Sequence, residues 1–186
     1  MSRWEPGARR RLEKAAFELF VEHGFAATTV PEITARAGLS TRTFHRYFAD
    51  KREVVFGGDD VPAEAAQVLA EASPSAEPLD VIMGALRSFA ETRFEGRRDE
   101  LRIRREIVSS DPGLRERDLQ KRETVGKIVH DALRARGVPE TRAALLSETC
   151  VTLLYVSVQE WLARDDEAPL VDIIADALDT LRSALA

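Results

Sequence analysis

The stretch TTVPEITARAGLSTRTFHRYF, residues 28–48, contains the start and stop signals of two short helices. Thr29 followed three residues later by Glu32 is a capping-box pattern, which predicts that the first of these helices begins directly after Thr29. Gly38 ends that helix, and Ser40 is a second N-cap residue that starts another helix one position later. Two short helices joined by a turn that contains glycine are typical of a helix-turn-helix.

The second helix of this pair is predicted to run from Thr41 to about Phe48, and it separates its side chains by type. At about 100° per residue, the rings of Phe44, Tyr47 and Phe48 share one face, which we expect to pack against the two preceding helices. The opposite side and the flanks of the helix carry polar side chains: Arg42, Thr43, His45 and Arg46. One side therefore holds the helix to the protein and leaves the other for a partner.

The polar side of this helix suits an anionic polymer. Arginine reaches guanine edges or phosphates, and threonine, tyrosine and lysine are common phosphate contacts. A helix N-terminus also favours a phosphate, because its N–H groups point outward. The predicted DNA contacts are Thr29, Ser40, Thr41, Arg42, Thr43, His45, Arg46, Tyr47 and Lys51. The alternative for each arginine is a solvated surface position, and the alternative for His45 is a bystander.

The charge is distributed unevenly along the chain. The 186 residues carry 27 Lys and Arg and 32 Asp and Glu, a formal net charge of −5. Residues 1–52 hold ten basic and six acidic side chains, a balance of +4, and the other 17 basic and 26 acidic side chains leave −9 beyond them. A basic N-terminal segment on an otherwise acidic chain suggests that this segment binds an anion. Ordinary solubilising charge is the alternative.

The sequence offers little for catalysis or cofactor binding. The three histidines and the single Cys150 stand at no metal-ligand spacing, and no glycine-rich phosphate loop is present. No serine, cysteine or acid shares the helix face of His45, which disfavours a catalytic role for it. We therefore predict no metal, no cofactor and no enzymatic activity.

The predicted location is the cytoplasm. A single cysteine cannot form an internal disulfide and fits a reducing compartment. The N-terminus does not read as a signal peptide, and no apolar run approaches the length of a membrane span. We therefore expect no membrane partner.

An ordered set of residues in the first part of the chain matches a known pattern: Ala16, Leu19-Phe20, Gly24-Phe25, Thr28-Thr29-Val30, Ile33, Ala37-Gly38-Leu39-Ser40, Phe44, Tyr47-Phe48 and Lys51. Through this set, residues 9–56 resemble the DNA-binding domain of the TetR family of bacterial transcriptional regulators. The resemblance implies a homodimer with an N-terminal three-helix domain that enters the major groove. It also implies a C-terminal helical domain that binds an effector and dimerises through its last two helices. The family usually has tyrosine where His45 stands, so whether His45 reads a base or only the backbone stays open.

The chain is predicted to be all-α, with about nine helices in two domains. Residues 1–52 form the predicted helix-turn-helix DNA-binding domain, and residues 53–186 form the effector-binding and dimerisation domain. The fourth helix is expected to break or bend at Gly57–Pro62.

The last two helices are the predicted dimer interface. Between Arg142 and Glu160 the eighth helix has a single charged residue, Glu148, so most of its sides must be covered. The ninth helix carries an apolar stripe. Two such pairs of helices would make a four-helix bundle between two copies of the chain.

Helices five to eight are expected to surround the effector pocket, as the resemblance implies. The predicted lining residues are Met83, Leu86, Phe89, Arg93, Ile103, Ile107 and Tyr155. An apolar lining suits a hydrophobic or acyl-type ligand, and Arg93 would serve as the counter-ion of a carboxylate. Plain core packing is the alternative for each of these residues.

These features together predict a dimeric, ligand-responsive transcriptional regulator, most often a repressor in the family, that binds a palindromic double-stranded DNA operator. An effector-independent DNA-binding protein is the first alternative, and a helical enzyme or carrier is the second.

Overall fold

The computed structural model describes residues 7–56 and 60–186, and all regular structure in these ranges is helical. The ten helices of the described residues are α1 (Ala8–His23), α2 (Val30–Ala37), α3 (Thr41–Tyr47), α4 (Lys51–Phe56), α5 (Asp60–Glu71), α6 (Pro78–Arg93), α7 (Arg98–Ser110), α8 (Pro112–Ala135), α9 (Glu140–Ala163) and α10 (Leu170–Ala184). The all-α prediction is confirmed. α4 and α5 take the place of the single fourth helix of the prediction, and residues 57–59 of its expected break lie outside the described residues.

The helix starts predicted from the capping signals are confirmed. The Thr29 hydroxyl accepts a hydrogen bond from the Glu32 amide, and the Glu32 carboxylate accepts one from the Thr29 amide at 2.7 Å. Gly38 adopts the left-handed conformation, with φ 64° and ψ 37°, which lets the chain turn sharply after α2. Ser40 then caps α3 by accepting a hydrogen bond from the Thr43 amide at 3.1 Å.

Packing divides the chain into two units. Among the described residues, the N-terminal unit comprises residues 7–56 together with Arg102–Asp118, and the C-terminal unit comprises Asp60–Leu101 and Leu119–Ala186. The second half of α7 and the start of α8 thus pack with the helix-turn-helix. The predicted functional boundary between residues 52 and 53 stays a prediction.

The core of the N-terminal unit holds the helix-turn-helix together. Helical periodicity gives α1 one apolar face, and that face is buried with the ring of Phe44 from α3. The buried members of this core are Leu12, Ala15, Ala16, Leu19, Phe20, Phe25, Ile33, Ala37, Phe44, Phe48, Val54, Val55, Ile107 and Leu114. Because Ile107 and Leu114 belong to it, the segment Arg102–Asp118 completes the apolar core of this unit.

A buried ion pair joins α4 to the start of α8 within the N-terminal unit. Glu53 is only 5% exposed, and its Oε1 accepts a hydrogen bond from Nη2 of Arg117. The side chain of Arg117 keeps 36% of its surface exposed, so the pair is only partly withdrawn from water. Removing Arg117 would leave the Glu53 carboxylate buried without a positive partner, and a buried unpaired charge lowers the stability of the folded state. The loss of one partner should therefore destabilise the protein more than the presence of the pair stabilises it.

The C-terminal unit is built around α6, α9 and α10, with α5 packed on α6. Trp161 of α9 is buried and donates its indole N–H to the backbone oxygen of Ala168 at 3.1 Å, which holds the connection to α10. The guanidinium carbon of Arg98 lies 4.5 Å from the centroid of the Trp161 ring system. Burial raises the pKa of the Cys150 thiol to about 12, so this thiol stays protonated at neutral pH and serves as a packing residue.

We expect Arg117→Ala to lower the free energy of unfolding by about 2 kcal/mol, because it strands the buried Glu53 carboxylate while partial exposure of the pair limits the cost. Replacing both partners, as Glu53→Met with Arg117→Met, should cost less than Arg117→Ala alone, because no charge is left unpaired. Urea denaturation followed by circular dichroism measures both values. If the double variant loses as much free energy of unfolding as Arg117→Ala, or more, the unpaired Glu53 carboxylate is not the cause of the destabilisation.

Candidate DNA-binding surface

α3 presents two chemically different sides, as its sequence predicts. Phe44 is 0% exposed, and its ring centroid lies 5.4 Å from that of the buried Phe48. Arg42, His45 and Arg46 are exposed. The predicted separation of anchoring rings from polar side chains is confirmed.

Arg46 is held by its neighbour Tyr47. The guanidinium carbon of Arg46 lies 4.8 Å from the centroid of the Tyr47 ring, and its Nη2 donates a hydrogen bond to the Tyr47 hydroxyl at 3.0 Å. Arginine has five N–H donors, so this contact leaves donors for a second acceptor such as a phosphate oxygen. Tyr47 thus restricts the rotamers of Arg46 without using up its hydrogen-bonding capacity.

The hydroxyls at the start of α3 are in two different situations. Ser40 Oγ accepts a hydrogen bond from the Thr43 amide. It also lies 2.9 Å from the Thr43 hydroxyl, so the two hydroxyls are hydrogen-bonded to each other. Thr41 is exposed beside Arg42, at the end of the helix where a phosphate is expected.

Thr29 stands exposed at the start of α2 with its hydroxyl already engaged. Its Oγ1 donates a hydrogen bond to Oε2 of Glu32 at 2.8 Å. This hydrogen bond holds the pKa of the Glu32 carboxyl below its usual value. A contact from Thr29 to DNA therefore has to share the hydroxyl with the capping box.

The ammonium of Lys51 is directed into the protein and is not free for a phosphate. Its Nζ donates hydrogen bonds to the backbone oxygens of Phe25 at 2.8 Å, Ala26 at 3.1 Å and Thr28 at 2.9 Å. Burial lowers the pKa of the Lys51 ammonium below its usual value. Sequence reasoning missed this arrangement, because its acceptors stand 23 to 26 positions earlier and no local pattern connects them to Lys51.

Arg36 is a further basic residue of the N-terminal unit, and it binds carboxylates. Its Nη1 and Nη2 donate to the two carboxylate oxygens of Glu22 at 2.9 and 2.8 Å, and its Nη1 lies 3.7 Å from Oε2 of Glu18. The hydrogen bonds from Arg36 hold the pKa of the Glu22 carboxyl below its usual value. This pair joins α1 to α2, so part of the positive charge of the unit is neutralised within it.

The apolar residues predicted to line an effector pocket fall into both units. Leu86 is buried in the core of the C-terminal unit, and Met83 packs against that core. Phe89 is half-buried, and its ring lies 5.6 Å from that of Phe94. By contrast, Ile103 is exposed and Ile107 is buried in the core of the N-terminal unit. Ile107 therefore packs in a different apolar cluster from Leu86, and its part in an effector pocket stays a prediction.

Arg93 and Tyr155, the polar residues of the predicted lining, both contact other side chains of the protein. Nε of Arg93 donates to Oε2 of Glu64 at 2.6 Å, and Nη2 of Arg93 lies 2.5 Å from Oε1. The guanidinium carbon of Arg122 lies 3.7 Å from the centroid of the Tyr155 ring. A ligand carboxylate would have to displace Glu64 before it used Arg93 as a counter-ion.

An open cleft of about 340 Å³ lies between α5 and α6 in the C-terminal unit. Its lining combines small or apolar side chains with two carboxylates: Val68, Glu71, Ala72, Ser73, Ala76, Asp80, Val81, Gly84 and Ala85. None of the predicted effector residues lines this cleft. The sequence offered no signal for it, because small residues and acids in a helix pair are also typical of ordinary packing and solvation.

Within residues 7–56 and 60–186, no three His, Cys, Asp or Glu side chains come together as a metal ion would require. None of the helices described in this part of the chain combines the length and the apolar character needed to cross a bilayer.

Two family models match separate parts of the chain. The model described as bacterial regulatory proteins, tetR family, matches residues 12–56, which include α2, α3 and α4. The model described as MftR C-terminal domain matches residues 76–186, which include α6 to α10 and make up more than half of the chain.

Related regulators align with nearly the whole chain. The HTH-type transcriptional regulator TcmR of Streptomyces glaucescens is 29% identical over 200 residues, covering 97% of this chain and 88% of TcmR. MftR of Mycobacterium tuberculosis (strain ATCC 25618 / H37Rv), named as a candidate transcriptional regulator of mycofactocin biosynthesis, is 28% identical over 182 residues, covering 94% of this chain and 89% of MftR. Among solved structures, Thermus thermophilus FadR, a TetR family transcriptional repressor in complex with lauroyl-CoA, is 26% identical with a TM-score of 0.55, and the match covers 93% of this chain and 92% of FadR.

Proposed function

Because the chain belongs to the TetR family of bacterial regulatory proteins and is therefore a DNA-binding transcriptional regulator, we propose that it is a homodimeric repressor that a small-molecule effector releases from a palindromic operator. The observation that carries this proposal is the two-sided α3, which buries Phe44 and exposes Arg42 and Arg46. The relatives of the chain are regulators rather than enzymes. We expect the protein to work in the cytoplasm, where bacterial DNA lies.

The exposed side of α3 has the donors that DNA recognition requires. Arg42 and Arg46 can each donate two hydrogen bonds to a guanine edge or to a phosphate. The proposed contacts to the phosphate backbone are Thr29, Ser40, Thr41, Thr43 and Tyr47. His45 is exposed on the same helix, where an imidazole can bond either a base or a phosphate.

A dimer would place two copies of α3 about 34 Å apart, one turn of DNA, so that they enter successive major grooves. Twofold symmetry then requires an operator with inverted half-sites. α9 supports such a dimer, because it carries large exposed apolar side chains that include Leu145, at 66% exposure, and Val156. These two residues are eleven positions apart, close to three helical turns, and therefore lie on the same face of α9.

Two observations support an apolar or acyl-type effector. The core of the C-terminal unit consists of apolar side chains from α6, α8, α9 and α10, among which an apolar ligand could bind. Thermus thermophilus FadR, at 26% identity, is in complex with lauroyl-CoA. Release follows if the effector binds the DNA-free arrangement more tightly than the DNA-bound one, and such coupling is typically about 1–3 kcal/mol.

Arg42→Ala with Arg46→Ala should abolish sequence-specific DNA binding and leave the dimer intact, because these guanidiniums supply base and phosphate contacts. Each bidentate contact is worth about 1–3 kcal/mol, so loss of two of them should lower the affinity by at least about thirtyfold. The measurement is a gel shift on duplex DNA that the wild-type protein selects from a random library. Arg87→Ala with Lys127→Ala removes two exposed cations from the C-terminal unit and should leave the affinity unchanged. Full affinity in the Arg42 and Arg46 variant would sink this assignment.

Leu145→Glu with Val156→Glu should convert the dimer to monomers, because the interface would bury two unpaired carboxylates per chain. Size-exclusion chromatography with light scattering measures the molar mass. Val21→Glu makes the same chemical change at a residue of α1 that is 64% exposed, and it should leave the dimer intact. A persistent dimer in the Leu145 and Val156 variant contradicts the proposed interface.

Lauroyl-CoA should weaken binding to the selected DNA by roughly 5–150-fold, the range that corresponds to ordinary allosteric coupling. Free coenzyme A is the control and should have no effect, because the acyl chain supplies the apolar contact. Fluorescence anisotropy of labelled DNA measures both affinities. If acyl-CoA thioesters of several chain lengths leave the affinity unchanged, the acyl-type effector is excluded and effector-independent binding is favoured.

A further inference from the structure

We propose that Lys51 is a positioning residue of the DNA-binding surface and not a phosphate contact. Its ammonium ties the first turn of α4 to the loop between α1 and α2, and thereby sets the start of α2 at Thr29. The effect of Lys51 on DNA binding rests on the proposed function. The hydrogen bonds from its ammonium are present in the protein without DNA.

All three donors of the ammonium are used inside the protein. A lysine ammonium has three N–H groups and no acceptor. The backbone oxygens of Phe25, Ala26 and Thr28 accept one hydrogen bond each. Three carbonyl oxygens gathered around one nitrogen repel one another unless a cation lies between them. A phosphate would have to break at least one of these bonds to reach the ammonium.

The side chain of Lys51 is held at both ends. Oδ1 of Asp50 accepts hydrogen bonds from the amides of Arg52 at 2.8 Å and Glu53 at 3.0 Å, which fixes the backbone at the start of α4. At the other end, Nζ of Lys51 lies 4.5 Å from the ring centroid of the buried Phe25. The lowered pKa of the ammonium agrees with its withdrawal from water.

The tied loop leads directly into α2. Thr28 is buried, and its hydroxyl donates a hydrogen bond to the backbone oxygen of Gly24 at 2.9 Å while its own carbonyl binds Lys51. The next residue, Thr29, opens α2 through the capping box with Glu32. A shift of this loop would therefore move the hydroxyl and the amides at the start of α2, which are proposed to face the DNA backbone.

The two roles of Lys51 have opposite consequences for the salt dependence of binding. Loss of a phosphate contact lowers the slope of log affinity against log salt concentration by roughly 0.9 for each phosphate. Loss of an internal tie leaves that slope unchanged, because no counterion was displaced. The charge-conserving substitution also separates the roles. Arginine binds phosphate well, but its planar guanidinium cannot direct three donors at carbonyls that converge on one point.

The test uses the full-length protein and the duplex selected by the wild-type protein. Lys51→Met and Lys51→Arg should each weaken binding by about tenfold with the salt slope of the wild type. Lys14→Met removes a lysine of α1 whose side chain is 78% exposed, and it should bind as the wild type does. Arg46→Met should lower the slope and so calibrates the assay. Wild-type affinity in Lys51→Arg together with a lowered slope in Lys51→Met would overturn the proposal.

A second measurement, by nuclear magnetic resonance, starts from the protein without DNA. Hydrogen-bonded ammonium protons exchange slowly with water, so the nitrogen-15 resonance of Lys51 Nζ should be visible at neutral pH and keep its shift when DNA is added. The amide resonances of Thr29 and Glu32 should move in folded Lys51→Met, which a general loss of stability does not produce. Fast exchange in the free protein, or a shift of the Nζ resonance on DNA binding, overturns the proposal. If the wild type selects no DNA, the proposed function fails, and the free-protein resonance still decides whether the tie exists.

Discussion

The DNA-binding surface depends on one constraint, the shortness of α3. A helix of seven residues does not stay folded by itself, because isolated helices shorter than about 12–15 residues are marginal in water. Burial of the Phe44 and Phe48 rings compensates, at about 1.5–3 kcal/mol for each. With the rings on one side of so short a helix, Arg42 and Arg46 remain exposed. The interaction that folds the helix therefore also decides which of its side chains stay exposed for the proposed contact with DNA.

Positive charge in the N-terminal unit has two uses. Arg36 binds the carboxylate of Glu22, Lys51 binds three backbone carbonyls, and Nη2 of Arg11 donates to the backbone oxygen of Ala37 at 2.5 Å, where α2 ends. Arg36 holds α1 against α2, Lys51 holds the loop that precedes α2, and Arg11 holds the end of α2. The basic excess of the first 52 residues is therefore partly structural, and the arginines of α3 belong to its exposed part.

The packing units do not follow the order of the chain. Arg102–Asp118 belongs to the N-terminal unit, and both of its limits fall inside helices, α7 on one side and α8 on the other. Ile107 and Leu114 place this segment in the apolar core, and Arg117 adds the ion pair with Glu53. The boundaries between the two units thus lie within α7 and α8 and not in the turns between helices.

The sequence by itself determined the all-α fold, the starts of α2 and α3, and the two sides of α3. Capping boxes and helical periodicity act between residues three or four positions apart, so they can be read before the fold is known. The inward-directed ammonium of Lys51, whose acceptors stand 23 to 26 positions earlier, was decided only by tertiary structure. The same holds for Ile107, whose helical spacing suited a pocket but whose neighbours are the core of the N-terminal unit. A lysine or an isoleucine has the same chemistry in either setting, and only the side chains and carbonyls that folding brings close decide which partner it meets.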